Sequence, residues 1–168
     1  IFDDPVTVKV AALLREKEAI IRDLIQRAEG LAASLHDQLP DYVLCHSDIH
    51  AGNLLVGEDG ALYLVDWDEP ILAPKERDLM FIAGAQGFHG VTAQQEERLF
   101  YQGYGATQIN QAALAYYRFE RIIQDIAAFG EQLLLSTAGG EDREQSFGYL
   151  VSNFLPGGTI EAAYRTQG

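Results

Sequence analysis

Two short β-like runs, residues 54–56 and 61–65, flank Gly57-Glu58-Asp59-Gly60 in a chain whose other segments mostly carry helical periodicity. Asp-Gly between apolar runs is a hairpin signal, because Gly supplies the positive φ of a tight turn. A single small β element among helices predicts a mainly α chain of α+β type, with the hairpin over about 53–66. The hairpin also has a chemical consequence. If its strands pair across the turn, Asn53 and Asp66 fall at the same open end.

The helical segments can be placed by their stripes and caps. Residues 8–37 read as one long helix: Ile21, Leu24, Ala28, Leu31 and Leu35 recur by threes and fours, Arg15, Lys17, Asp23 and Arg27 lie off that stripe, and Pro40 marks the stop region. Residues 42–45 form a short apolar strand. After the hairpin, Pro70 and Pro74 shape a loop, and 76–85 reads as a short helix. Thr92, with Gln95 at the capping-box position, starts a helix ending near Tyr101. Asn110 caps a helix through Leu135 that is apolar over much of its girth, hence central. A further helix over 142–155 ends at Pro156-Gly157-Gly158, and Thr159 caps a last short one. No repeat or low-complexity linker divides the sequence, so residues 1–168 are expected to form one helical lobe with its core over about 8–165.

The net charge of −13 repels nucleic acid and anionic membranes and attracts cations. It is unevenly spread: from Asp37 to Pro74 there are eight carboxylates and no Lys or Arg. The expected partner is therefore a small cationic molecule or a metal ion, not nucleic acid or a membrane. With 48% apolar residues the chain is not expected to be disordered. One cysteine, Cys45, excludes an internal disulfide and a cysteine-based zinc framework, and suits a reducing cytoplasm. No apolar run reaches the length of a membrane span, and the first residues lack a signal-peptide layout. The chain does not start with Met and is expected to be part of a longer protein.

Inside the acidic stretch lies His46-Ser47-Asp48-Ile49-His50-Ala51-Gly52-Asn53. Read as D-x-H, it opens a two-metal phosphoesterase site. Such a site needs further His and Asn ligands, and only His36 and His89 remain, neither in a suitable context. Read as H-x-D-x-x-x-x-N, it has the spacing of a kinase catalytic loop. Asp48 can then accept the acceptor proton, while Asn53 and Asp66 offer the hard oxygen ligands that Mg²⁺ prefers. Asn53 alone is as often a turn residue; its pairing with Asp66 favours the ligand role.

HSDIHAGN, then LVDWDEP and ERDLMFI, resembles the aminoglycoside phosphotransferase family, whose members include small-molecule kinases with a protein-kinase-like fold, and within it the spectinomycin phosphotransferase branch. Ser47 stands where the family has Gly, and Val65 where it has Ile. The resemblance runs from about Leu13 to Tyr164 and implies a C-terminal catalytic lobe. It also implies Asp48 as catalytic base or hydroxyl-orienting group, and Asn53 and Asp66 as Mg²⁺ ligands. His46 and His50 would shape the loop by hydrogen bonds. Asp78 would anchor the loop and a helix N-terminus. Trp67, Asp68 and Glu69 are candidates for contacting the substrate. ATP would be the co-substrate. No strand Lys or Gly-rich phosphate loop is found, since Lys9, Lys17 and Lys75 are the only lysines and the glycine-rich segments follow the motifs. The N-terminal lobe is therefore expected to be absent, leaving a fragment without activity of its own. A non-catalytic, cation-binding lobe is the alternative from a different functional class.

Overall fold

In a computed structural model of the chain, residues 4–36, 41–84, 90–136 and 142–167 are described. Helix α1 (Pro5–Glu16) starts with Pro5 in its first turn, and the Asp4 carboxylate accepts from Thr7 N at 2.9 Å. Arg143 approaches the same Asp4 oxygen at 2.8 Å. Hydrogen bonds from Arg143 first, then Thr7, hold the Asp4 carboxyl down at about 2. Helix α2 (Glu18–Leu35) follows directly.

The single helix expected over 8–37 is thus two helices, broken at Lys17 (φ −93°, ψ 5°). Lys17, expected off the apolar stripe, stands one turn before Ile21 and so in line with it. The i→i−4 bonds from Lys17 N to Leu13 O and from Ile21 N to Lys17 O still run across the break, and Lys17 Nζ lies 2.7 Å from Glu16 Oε1. Pro40, Ala85 and His89 lie outside the described residues.

Strand β1 (Tyr42–Cys45) pairs antiparallel with β4 (Ile71–Pro74), Tyr42 opposite Pro74 and Cys45 opposite Ile71. A Pro-shaped loop was expected at this second segment. In a two-stranded sheet both strands are edges, so Pro74 at the strand end costs the ladder little. Strand β2 (Leu54–Val56) pairs antiparallel with β3 (Leu62–Leu64) as the expected hairpin, with Gly60 at φ 80° in the turn.

Helix α3 (Glu76–Leu79) is shorter than the expected 76–85. Past Leu79 the backbone tightens into i→i+3 bonds, Phe81 N to Asp78 O and Ile82 N to Leu79 O. The Arg118 guanidinium takes the carbonyls of Met80 and Ile82, which draws them out of any continued helix.

Helix α4 (Ala93–Tyr104) carries the full Thr92–Gln95 capping box, and α5 (Gln111–Leu135) is capped by Asn110, whose side chain accepts from Ala113 N. Helices α6 (Asp142–Ser152) and α7 (Thr159–Gln167) complete the chain. Helix α5 is central: α1, α2, α3, α6 and α7 all pack on it. The core joins Val10 of α1, Leu24 of α2, Phe119, Ile122 and Leu133 of α5, and Leu150 of α6. Among the described residues the chain is mainly helical, with two small two-stranded antiparallel sheets.

Candidate active site

The end of β1 delivers the polar segment into a loop held from below. The Asp78 carboxylate of α3 accepts from His46 N at 2.9 Å and Ser47 N at 2.8 Å. Both oxygens are thus spent on the loop's amides rather than on the N–H groups of a helix. Ser47 has φ 67°, a left-handed conformation that suits Gly and costs other residues about 1–2 kcal/mol. This gives a physical reason for Gly at that position in the family. Ser47 offsets part of the strain by donating its hydroxyl to Glu69 O at 2.7 Å. Cys45, fully buried below the loop, has its thiol pushed up to about 11 by burial and next by the neighbouring Asp78 charge, so it stays protonated.

Of the two loop histidines, His46 is buried and His50 is partly exposed. His46 Nδ1 accepts from Asp48 N at 3.3 Å, which fixes Nε2 as the donor to Val65 O at 2.9 Å. His46 therefore ties the loop to the far end of the hairpin. His50 Nδ1 accepts from Gly52 N at 3.0 Å and caps a 3₁₀ turn over Ala51–Asn53. His50 Nε2 lies 3.6 Å from Asp48 Oδ2.

Asn53 is buried and donates Nδ2 to Asp48 O at 2.9 Å, while its own carbonyl accepts from Val65 N at 3.1 Å. Asp48, Asn53 and Asp66 are in this way brought to the same end of the hairpin. Asp66 also adopts φ 67°. Its carboxylate is exposed and makes no hydrogen bond or ion pair with any described residue. With Nδ2 engaged, the amide oxygen of Asn53 is its available end. One neutral and one charged oxygen are donors suited to Mg²⁺, which completes its shell with phosphate oxygens and water rather than an all-protein cage. Among the described residues no three His, Cys, Asp or Glu side chains converge as such a cage.

Trp67 packs on His46, with ring centroids 4.4 Å apart, and donates Nε1 to Leu64 O at 3.1 Å. It closes the hairpin end while remaining half exposed. Asp68 is exposed and unpaired among the described residues. Glu69 lines an open cleft with Ser47, Tyr116, Tyr117 and Glu120.

One group in direct contact with Asp48 escaped the sequence reading. Arg121, on α5, places Nη1 2.6 Å from Asp48 Oδ1 and Nε 2.8 Å from Asp125 Oδ1. The signal the sequence offers is the i,i+4 spacing of Arg121 and Asp125, which reads first as a paired helix face and only secondarily as pocket lining. Burial pulls the Arg121 guanidinium down, but Asp125 and Asp48 outweigh it and hold it above its ordinary value. Burial pushes the Asp125 carboxyl up, with Arg121 opposing.

The family model described as Phosphotransferase enzyme family matches residues 7–117. The chain belongs to this family. Among solved structures it is similar to spectinomycin phosphotransferase APH(9)-Ia in complex with ADP and spectinomycin, at 42% identity and a TM-score of 0.83, and to the AMP-bound complex of that enzyme, at 43% identity and 0.84. Each match covers 99% of this chain, but only 50% and 51% of the matched chains. The chain thus spans about half the length of these phosphotransferases, and its helical fold corresponds to half of theirs. No helix among its described residues is long and apolar enough to cross a membrane.

Proposed function

We propose that the chain is the catalytic and acceptor-binding lobe of a cytoplasmic, ATP-dependent kinase that phosphorylates a hydroxyl of a cationic small molecule, an aminocyclitol or aminoglycoside antibiotic. The observation that carries this reading is the grouping of Asp48, Asn53 and Asp66: Asn53 donates Nδ2 to Asp48 O, and its backbone carbonyl accepts from the N–H of Val65, the residue before Asp66. Phosphoryl transfer asks a protein mainly for positioning and charge stabilisation. In this reading Asp48 orients the acceptor hydroxyl and receives its proton as the oxygen bonds to the γ-phosphorus and ADP leaves. Asn53 and Asp66 would hold Mg²⁺, which supplies neutralisation of the phosphate charge. In this reading His46 ties the loop to the hairpin, His50 caps the turn within it and Asp78 anchors it to α3. Asp68, Glu69 and Trp67 stand at the edge of the loop, where carboxylates and an aromatic face suit an ammonium group.

The nucleotide would be held largely by a second lobe, because the chain has no Gly-rich phosphate loop with a partnering strand Lys. Exposed apolar residues on the strands, Leu44, Val56, Leu62 and Leu72, suit a surface that such a lobe covers. The chain alone is then expected to turn over ATP feebly. Spectinomycin with ATP is the first substrate pair to assay, since one matched structure is a complex with ADP and spectinomycin. In the longer protein carrying this chain, Asp48→Asn should lower kcat by about 10²–10⁴-fold. Near-normal turnover of that variant, or robust phosphorylation by the 168-residue chain alone, would overturn the reading.

A further inference from the structure

We propose that Arg121 is a positioning residue for Asp48: its guanidinium fixes Oδ1 of that carboxylate and leaves Oδ2 turned to the acceptor hydroxyl. The inference rests on the reading of Asp48 given above.

The two oxygens of Asp48 are treated unequally. Oδ1 lies 2.6 Å from Arg121 Nη1, a short charge-assisted contact. Oδ2 has only longer approaches, 3.5 Å from Asn53 Nδ2 and 3.6 Å from His50 Nε2. A carboxylate on a loop can otherwise rotate and exchange its oxygens. Engagement of one oxygen by a rigid donor selects the other for the substrate.

Arg121 is itself immobilised on three sides. Its Nε is 2.8 Å from Asp125 Oδ1, one helical turn along α5. Its guanidinium carbon lies 5.5 Å from the centre of the Phe81 ring. Its neighbours on α5, Phe119 and Ile122, are buried in the core, so the helix beneath it cannot shift without opening that core. The planar guanidinium suits this double engagement, whereas an ammonium would offer a point charge without a fixed edge. Arg121 thereby transfers the rigidity of the central helix to a loop residue 73 positions earlier in sequence.

A purely structural ion pair and a positioning role predict different kinetics. Loss of a structural pair lowers stability and leaves kcat of the folded enzyme unchanged. Loss of positioning lowers kcat while the acceptor KM stays nearly constant, because the group aligned is the one that meets the hydroxyl in the transition state.

The test uses the longer protein with ATP and spectinomycin, with folding followed by thermal unfolding. Arg121→Gln is expected to lower kcat about 10–100-fold with KM for spectinomycin changed less than about threefold. Arg121→Lys should recover part of kcat, and free guanidinium ion should partly restore Arg121→Gly. Wild-type kcat in folded Arg121→Gln, with Asp48→Asn inactive, overturns the positioning role and leaves the role of Asp48 intact. An active Asp48→Asn overturns the underlying reading. A raised KM with unchanged kcat assigns Arg121 to acceptor binding and also overturns the proposal. If Arg121→Gln fails to fold, Asp125→Asn, which frees the far edge of the guanidinium without removing it, should still lower kcat; an unchanged kcat there is an overturning result.

Discussion

Around α5 the large apolar side chains lie inside: Phe119, Leu24, Leu133, Leu150 and Val10 are fully buried. On the two sheets Leu44, Val56, Leu62 and Leu72 face outward, while the polar His46, Ser47 and Asn53 of the adjoining loop are buried. The helical region thus rests mainly on hydrophobic burial, with polar groups such as Thr7 and Arg143 bonded into it, and the loop beside the sheets rests on converging hydrogen bonds. Buried polar groups cost free energy unless each is partnered, so the loop is fixed by its bonding pattern rather than by packing volume. This contrast separates a scaffold from a site: the two regions should respond to substitution in different currencies, stability in the first and geometry in the second.

The largest stability effect is expected in the helical region. Phe119→Ala removes a fully buried ring from the helix that five others pack on, and should cost about 3–5 kcal/mol in denaturant unfolding of the chain. A loss below about 1 kcal/mol would mean that the core relaxes far more than its packing implies. A smaller effect is expected at the foot of the loop. Asp78→Asn keeps the shape of the side chain but turns an amide nitrogen toward one of the two loop N–H groups it now accepts. This should cost about 1–3 kcal/mol. In the longer protein it should lower kcat beyond what the lost stability explains, because Asp48 follows directly on the released amides. Normal kcat in the folded variant would break the distinction between scaffold and site.

The two regions were also unequally legible in the sequence. The elements around α5 carry local signals: Asn110 and Thr92 cap their helices as expected, since a cap is decided within four residues. The hairpin was equally local, set by Asp59-Gly60. The pairing of β1 with β4 was hidden because it joins segments far apart in sequence, and because Pro70 and Pro74 argued for a loop. The break at Lys17 was hidden because no Gly or Pro marks it. The convergence of Asp48, Asn53 and Asp66 at one end of the hairpin was legible through motif spacing plus hairpin register. Arg121 was not. Its contact with Asp48 depends on how α5 crosses beneath the loop, and its partner at i+4 supplied a sufficient local explanation that masked the distant one.

The smallest effect is expected on the outward strand faces, and it tests what their exposure is for. Leu72→Ser and Val56→Ser alter side chains that are already 70% and 75% exposed. In the chain alone each should change stability by less than about 1 kcal/mol, mostly through the cross-strand pairs Leu44–Leu72 and Val56–Leu62. In the longer protein the same side chains, if covered by the other half, leave water on folding. Each substitution should then cost about 1.5–3 kcal/mol, the value of burying such a side chain. The comparison is a pair of denaturant midpoints, chain against longer protein, for the same variant. Equal small shifts in both would show that this apolar face stays open to water, and the proposed covering of the strands by a nucleotide-holding lobe would fail.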